Sequence, residues 1–188
     1  MNVMEAIMSR RTIRKFEQRK ISGEILRKLV DAARMAAHGG NVQPLKYVTV
    51  TGEQLRDAVF ETTKWAACIP DGTPKDGERP MAYIVVYADK DIKKECMVDA
   101  GAAITNIMLA AYEEGIGSCW IGSLNRVRLR EILNTPEHLQ ILYVVALGYP
   151  AQRSRAVEMK DGFNYYLDEE QVVNVPKFSL EQVLIEER

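Results

Sequence analysis

The stretch "VDAGAAITNIMLAAYEEGIGSCWIGSL", residues 98–124, decides how the rest of the chain is read. From Ala100 to Ala111 it is apolar almost all round. A helix of that kind has no water-facing side, so it must be buried inside the domain or against a partner. We place this helix, the longest of the chain, over 93–114. The apolar run 98–112 is too short to span a bilayer and carries Asp99, Thr105 and Asn106. Gly115 reads as its C-cap, and "GSCWIGSL" as a short strand or turn behind it. Gly115, Gly117 and Gly122 follow a helix rather than open one, so the dinucleotide-binding fingerprint does not fit. The turn is either a plain buried strand or a segment facing a ligand.

Outward from this stretch, helices and strands alternate. Downstream, "RVRLREIL" reads as a helix and "LQILYVVALGYP" as a strong strand. Upstream, "MAYIVVYAD" is a β-branched and aromatic run expected as a buried strand, and "KYVTVTG" is another. "EQLRDAVFETTKWAAC" has helical spacing with Leu55, Val59 and Thr62 inward. The loop "IPDGTPKDGERP", 69–80, has three prolines and two glycines and is a candidate lid. Ser22 reads as the N-cap of a helix over 23–37 with Ile25, Leu29, Ala32 and Ala36 on one face. The opening "NVMEAIMSR" reads as a short helix with Val3, Met4, Ile7 and Met8 on one side. The tail, 151–188, is polar at first and ends in a short helix capped by Ser179. The class is α/β or α+β, as one domain over 1–188, and the long tail suits an arm that crosses to another subunit.

A chain of 188 residues, with 47% hydrophobic and 27% charged residues, is long enough for one sizeable core. Its net charge of −1 argues against broad binding to nucleic acid or an anionic membrane, so any anion site is local. Cys68, Cys96 and Cys119 form no CxxC pair, and His38 and His138 have no second ligand at metal-site spacing. The start lacks the apolar run of a leader, and a cytoplasmic location is expected. No GxSxG, HExxH or other catalytic set is present. A chain with a local anion site and no catalytic set borrows its chemistry from a cofactor.

Two further segments offer ligand contacts. In "SRRTIRKF", 9–16, Arg10, Arg11, Thr12 and Arg14 supply planar forks and a hydroxyl suited to phosphate oxygens. The bland alternative is a set of cations answering a helix dipole. In "HGGNVQP", 38–44, glycines permit close approach, and Asn41 and Gln43 bring amides that both donate and accept. The alternative there is a helix stop before a strand.

Taken in order, "SRRTIRKF", "NVQP", "DAGAAITNIMLAAYEEGIGSCWIGSL" and "VALGYP" resemble the FMN-dependent nitroreductase superfamily over nearly the whole chain. The resemblance implies an α+β sandwich: a mostly antiparallel sheet wrapped by helices, in an intertwined homodimer with FMN at the subunit interface. It implies NADH or NADPH as donor, two-electron ping-pong turnover, and a nitroaromatic, quinone or similar planar acceptor. By the same resemblance Arg10, Arg11, Thr12 and Arg14 grip the FMN phosphate and ribityl chain. The loop with His38, Gly39, Asn41, Gln43 and Pro44 reaches the flavin from the other subunit. It departs from the family pattern at Ala37, His38, Gly39 and Leu45, which bears on substrate preference. Backbone N–H groups near Ile121, Gly122 and Ser123 face the flavin ring, and Lys177 is the tail's candidate for the phosphate. No side chain acts as acid or base. The alternatives are a flavin-binding or sensing protein with little turnover, a flavin-dependent dehalogenase or flavin-fragmenting relative, and a structural dimer holding another anion.

Overall fold

The computed structural model describes residues 2–160 and 162–188. Its frame is a four-stranded antiparallel sheet in the order β1-β2-β4-β3, made of β1 (Leu45–Val50), β2 (Ala82–Asp89), β3 (Gly117–Ile121) and β4 (Leu139–Gly148). The central pair β2 and β4 is buried on both faces. Side chains alternate across a strand, so Ala82, Ile84, Val86 and Ala88 enter one apolar layer and Tyr83, Val85 and Tyr87 the other.

The first layer is covered by α2 (Gly23–Arg34) and α4 (Met97–Glu113). Leu26, Leu29 and Ala33 of α2 meet Ala100, Ala103, Ile104, Ile107 and Ala111 of α4, and the alanines let the two helices approach closely. The second layer is covered by α3 (Glu53–Phe60) and α5 (Arg126–Ile132), through Val59, Phe60 and Leu129. The architecture is thus an α+β sandwich with helices on both faces of an antiparallel sheet. No described helix is long and apolar enough to cross a membrane.

Several elements are shorter or turned from expectation. The helix expected over 23–37 ends at Arg34; Leu26, Leu29 and Ala33 are its buried residues, while Ile25 and, beyond its end, Ala36 pack at the margin of the same core. Ser22 caps it as expected, accepting a hydrogen bond from the Ile25 N–H at 3.2 Å. The helix after β1 stops at Phe60 rather than continuing toward Cys68. There the Thr62 and Thr63 hydroxyls donate back to the Val59 and Phe60 carbonyls, competing with continuation of the backbone helix. Leu55 is exposed, while Thr62 is buried as expected. The opening helix α1 (Val3–Ser9) forms, but only Ala6 is buried; Val3, Met4, Ile7 and Met8 face outward.

The tail adds a small sheet that the sequence reading did not anticipate. β5 (Arg153–Glu158) pairs in parallel with β7 (Val172–Lys177), and β6 (Tyr166–Leu167) pairs antiparallel to β7. Val173 packs with Ala66 and Ile69 of the same chain, flanked by Trp65 and Tyr165. The short α6 (Leu180–Val183) follows Ser179, whose N–H donates to the Gln182 side chain at 2.9 Å.

The N-terminal basic segment runs along the sheet edge. Thr12 bridges to Ser118 and Phe16 to Pro150. This lie needs bare backbone beneath it. A Cβ at Gly117 would come within 2.8 Å of the Ile13 Cβ, and one at Gly148 within 2.7 Å of the Phe16 Cβ. Neither contact involves the free end of a side chain, so relief requires movement of backbone. Gly148→Ala is therefore expected to lower unfolding free energy by about 1–3 kcal/mol, the usual cost of overpacking. Urea denaturation would read this directly, and an unchanged midpoint would contradict the contact.

Candidate functional site

The basic segment separates into residues with different surroundings. Arg11 turns back on α1: its guanidinium donates to the Met8 and Arg10 carbonyls, at the helix end where a cation is favoured. Arg10 is half-buried, and its Nη1 is enclosed without a hydrogen-bond partner. Burial, with the adjacent Arg11 charge, pushes the Arg10 pKa below its ordinary value. Both guanidiniums line a cavity of about 470 Å³ with Ile13, Gly117, Ser118 and Gln152. Thr12 is half-buried and held by its backbone bridge to Ser118.

Arg14 faces a second cavity, of about 150 Å³, with Lys64, Trp65, Cys119 and residues 120–123. Its N–H donates to the Gln152 side chain at 3.1 Å. Ile121 is buried with its side chain in the apolar layer behind, so only its backbone can face a ligand. Beyond the strand end, Ser123 accepts from the Lys64 N–H at 2.9 Å and Gly122 from Arg126 at 3.2 Å. The carbonyls are thus engaged, while among the described residues the Gly122 and Ser123 N–H groups find no acceptor. The Cys119 thiol is pushed up to about 11 by burial and stays protonated.

The 38–43 loop lines neither cavity. His38 is half-buried, with Nδ1 2.9 Å from the Ala36 carbonyl and Nε2 enclosed without a partner. Gly39 donates its N–H to Asp99 at 3.0 Å. Asn41 and Gln43 are exposed, both at positive φ (55° and 54°), and joined to each other by a 3.1 Å side-chain hydrogen bond. Lys177 ends β7 opposite Glu158, exposed and remote from the lining of both cavities. A single chain therefore places Arg14 beside Ile121, Gly122 and Ser123, and Arg10 and Arg11 in the neighbouring cavity, with Thr12 on the segment between them. It leaves His38, Gly39, Asn41, Gln43 and Lys177 elsewhere.

Lys64 and Trp65 were not among the expected site residues. They had been placed within a helix, and the hydroxyl turns at Thr62 and Thr63 deliver them to the cavity instead. Trp65 is fixed there by stacking on Phe60 at 5.7 Å and by its indole N–H donating to Thr63 at 2.8 Å. Asp99 was seen only as a polar interruption of α4. Its side chain is 4% exposed and paired with Lys93 at 2.7 Å.

Two guanidiniums in and beside a cavity, an orphaned buried Arg10 nitrogen and two unengaged amides at a strand end make a set of donors without acceptors. Such a set fits a phosphate-bearing ligand with a polar ring edge. The Nitroreductase family matches the chain over residues 7–149. A protein of Archaeoglobus fulgidus with the provisional name NADH dehydrogenase/NAD(P)H nitroreductase is 34% identical over 169 residues, 86% of this chain and 92% of that one. The chain belongs to the nitroreductase family. It is also similar to the FMN reductase (NADPH) of Bacillus subtilis, 26% identical over 81% of this chain and 68% of that one. Among solved structures, a provisionally named nitroreductase from Desulfovibrio desulfuricans, crystallised with FMN, shares the fold with a TM-score of 0.75. It is 24% identical, covering 100% of this chain and 98% of that one.

Asp99 gives this region a measurable pH signature. The hydrogen bond from Lys93, then that from Gly39, holds its carboxyl below the usual carboxylate range. A depressed folded pKa contributes stability above the unfolded value of about 4, and that contribution is lost as pH falls through the folded value. Asp99→Asn is expected to be less stable than wild type at pH 7 and to lose less on acidification. Urea midpoints from pH 7 down to pH 2.5 would show the two curves converging; parallel curves would contradict it.

Proposed function

We propose that the chain is an FMN-dependent NAD(P)H oxidoreductase that acts as a homodimer on nitroaromatics, quinones or similar planar acceptors. The observation that carries this reading is the placement of Arg14 in one cavity with the unengaged Gly122 and Ser123 amides, with Arg10 and Arg11 lining a second cavity along the same segment. The names of the relatives support the cofactor and the donor: FMN reductase (NADPH) in Bacillus subtilis and NADPH-flavin oxidoreductase in Vibrio harveyi.

FMN, when bound, supplies the two-electron redox chemistry, with the nicotinamide donor and the acceptor visiting in turn. The chain's own residues bind and orient. Arg10 and Arg14 neutralise the phosphate, with the Thr12 hydroxyl as a further donor, and Arg11 adds charge while capping α1. The Gly122 and Ser123 amides donate toward the ring edge, where fixed backbone dipoles favour added negative charge. Trp65 walls the cavity and limits water. The buried Cys119 thiol stays neutral and leaves the ring chemistry unperturbed.

The remaining expected residues enter from a second copy. His38, Gly39, Asn41 and Gln43 are presented by α4 on a separate part of the surface, and Lys177 lies at the exposed end of β7. The face of α1 formed by Val3, Met4, Ile7 and Met8, together with Phe178, Leu180, Val183 and Leu184 of the tail, is apolar and exposed in the single chain. These surfaces are what the second copy covers. In this reading the crossing arm begins after Lys177, because β5, β6 and β7 pair with one another and pack on Ala66 and Ile69 of the same chain.

The purified protein should be yellow and should bleach when NADPH or NADH is added without oxygen. A colourless protein that ignores added FMN would end this reading. Arg10→Ala combined with Arg14→Ala should weaken FMN at least about tenfold, from the loss of charge-assisted hydrogen bonds. The variant should still elute as a dimer, and retained flavin affinity would displace the phosphate from this segment.

A further inference from the structure

The Arg14 guanidinium lies over the ring of Tyr165, 4.4 Å from its centroid. Tyr165 belongs to the tail, between β5 and β6, far from Arg14 in sequence. It is brought there by a strap of contacts with the segment after Phe60. The Cys68 N–H donates to the Tyr165 hydroxyl at 3.5 Å, and the Cys68 thiol to Asn164 at 3.6 Å. The ring joins Trp65, Ala66, Ile69, Leu167 and Val173 in an apolar cluster of its own.

A guanidinium stacks through its flat face and hydrogen-bonds through its edge, so the two uses do not compete. Among the described residues the Arg14 side chain makes no ion pair and no hydrogen bond, while its backbone N–H donates to Gln152. The contact therefore restrains the cation while its N–H donors stay without partners beside the cavity that holds 121–123. A long, unpaired arginine would otherwise lose rotamer entropy on binding a ligand.

We propose that Tyr165 is a positioning residue for Arg14: the tail folds back so that the ring holds the guanidinium in place, and its free N–H donors meet a phosphate monoester already positioned. The inference rests on the flavin reading above and gives the small tail sheet a role within its own protomer. Trp65, at the other side of the same strap, ties that sheet to the cavity wall.

The test compares FMN with riboflavin, which lacks only the phosphate, on the full chain freed of flavin. Kd is read by quenching of flavin fluorescence. Tyr165→Leu should weaken FMN roughly threefold to fivefold, the worth of a partly exposed cation–π contact. Riboflavin affinity should not change, and Tyr165→Phe, which keeps the ring, should stay near wild type. In an Arg14→Gln background the Tyr165→Leu change should add nothing for FMN. Equal loss for both flavins would make Tyr165 a lid and overturn the proposal, as would no loss for FMN. If Tyr165→Leu fails to fold, the Arg14→Gln variant decides alone: an unchanged ratio of FMN to riboflavin affinity overturns the proposal. Wild-type protein that binds neither flavin takes down the earlier reading and this one together.

Discussion

Ile13 and Phe16 lie against bare backbone at Gly117 and Gly148, and the placement of the site follows from that contact. The Ile13 N–H donates to the Ser118 carbonyl at 3.0 Å, so the basic segment runs beside β3 instead of trailing in solvent. With Ile13 and Phe16 turned into the sheet edge, Arg14, between them, is turned toward the cavity beyond β3. Arg10 and Arg11 occupy the approach from α1. A side chain at either glycine would lift the segment and separate the cations from the strand end. The clustering of cations here thus arises from packing rather than from any excess of charge in the chain as a whole.

The same economy governs α4. Its small residues let α2 approach on one side, and its buried Asp99 ties down a loop on the other. That loop carries left-handed backbone at Gly40, Asn41 and Gln43, a conformation that for the two non-glycine residues costs about 1 kcal/mol or more each. The hydrogen bond from Gly39 to a carboxylate that Lys93 also holds is what offsets it. The helix therefore serves the core and the loop at once, which explains a buried acid in an otherwise apolar run.

Much of this was legible in the sequence because the signals were strong and local. The continuous apolar run made α4 a buried helix, "MAYIVVYAD" made β2 a strand buried on both faces, and Ser22 marked the start of α2. The basic run and the 121–123 turn were recognisable as an ordered set, even though each alone had a bland explanation. The tail sheet was not legible. β5 is mostly exposed and has no regular alternation, and its partner β7 lies 19 residues away, with Pro176 inside the pairing. Those strands are held by packing on Ala66 and Ile69 and by side-chain bonds among Arg155, Asp168 and Asn174, none of which a local pattern reveals. Lys64 and Trp65 were hidden for another reason: the threonine hydroxyls that end α3 look, in sequence, like part of its helical pattern.

The electrostatics of the Arg10–Arg11 pair indicate what kind of site this is. Two adjacent guanidiniums repel, and burial of Arg10 removes the water that would screen them. Arg11 relieves part of the strain by turning to the end of α1, but the enclosed Arg10 nitrogen has no such outlet. A surface that merely needed solubility would keep both cations in water at no cost. Holding one half-buried and unpaired lowers stability, a loss that the phosphate dianion of the proposed function would offset. The amides at Gly122 and Ser123 are idle for a related reason: they lie where the chain leaves its ladder with β4 and turns to the Thr63–Leu124 bridge, and neither pairing takes them up. Donors left short of internal partners are what the proposed site needs if it is to hold an anionic, ring-bearing cofactor.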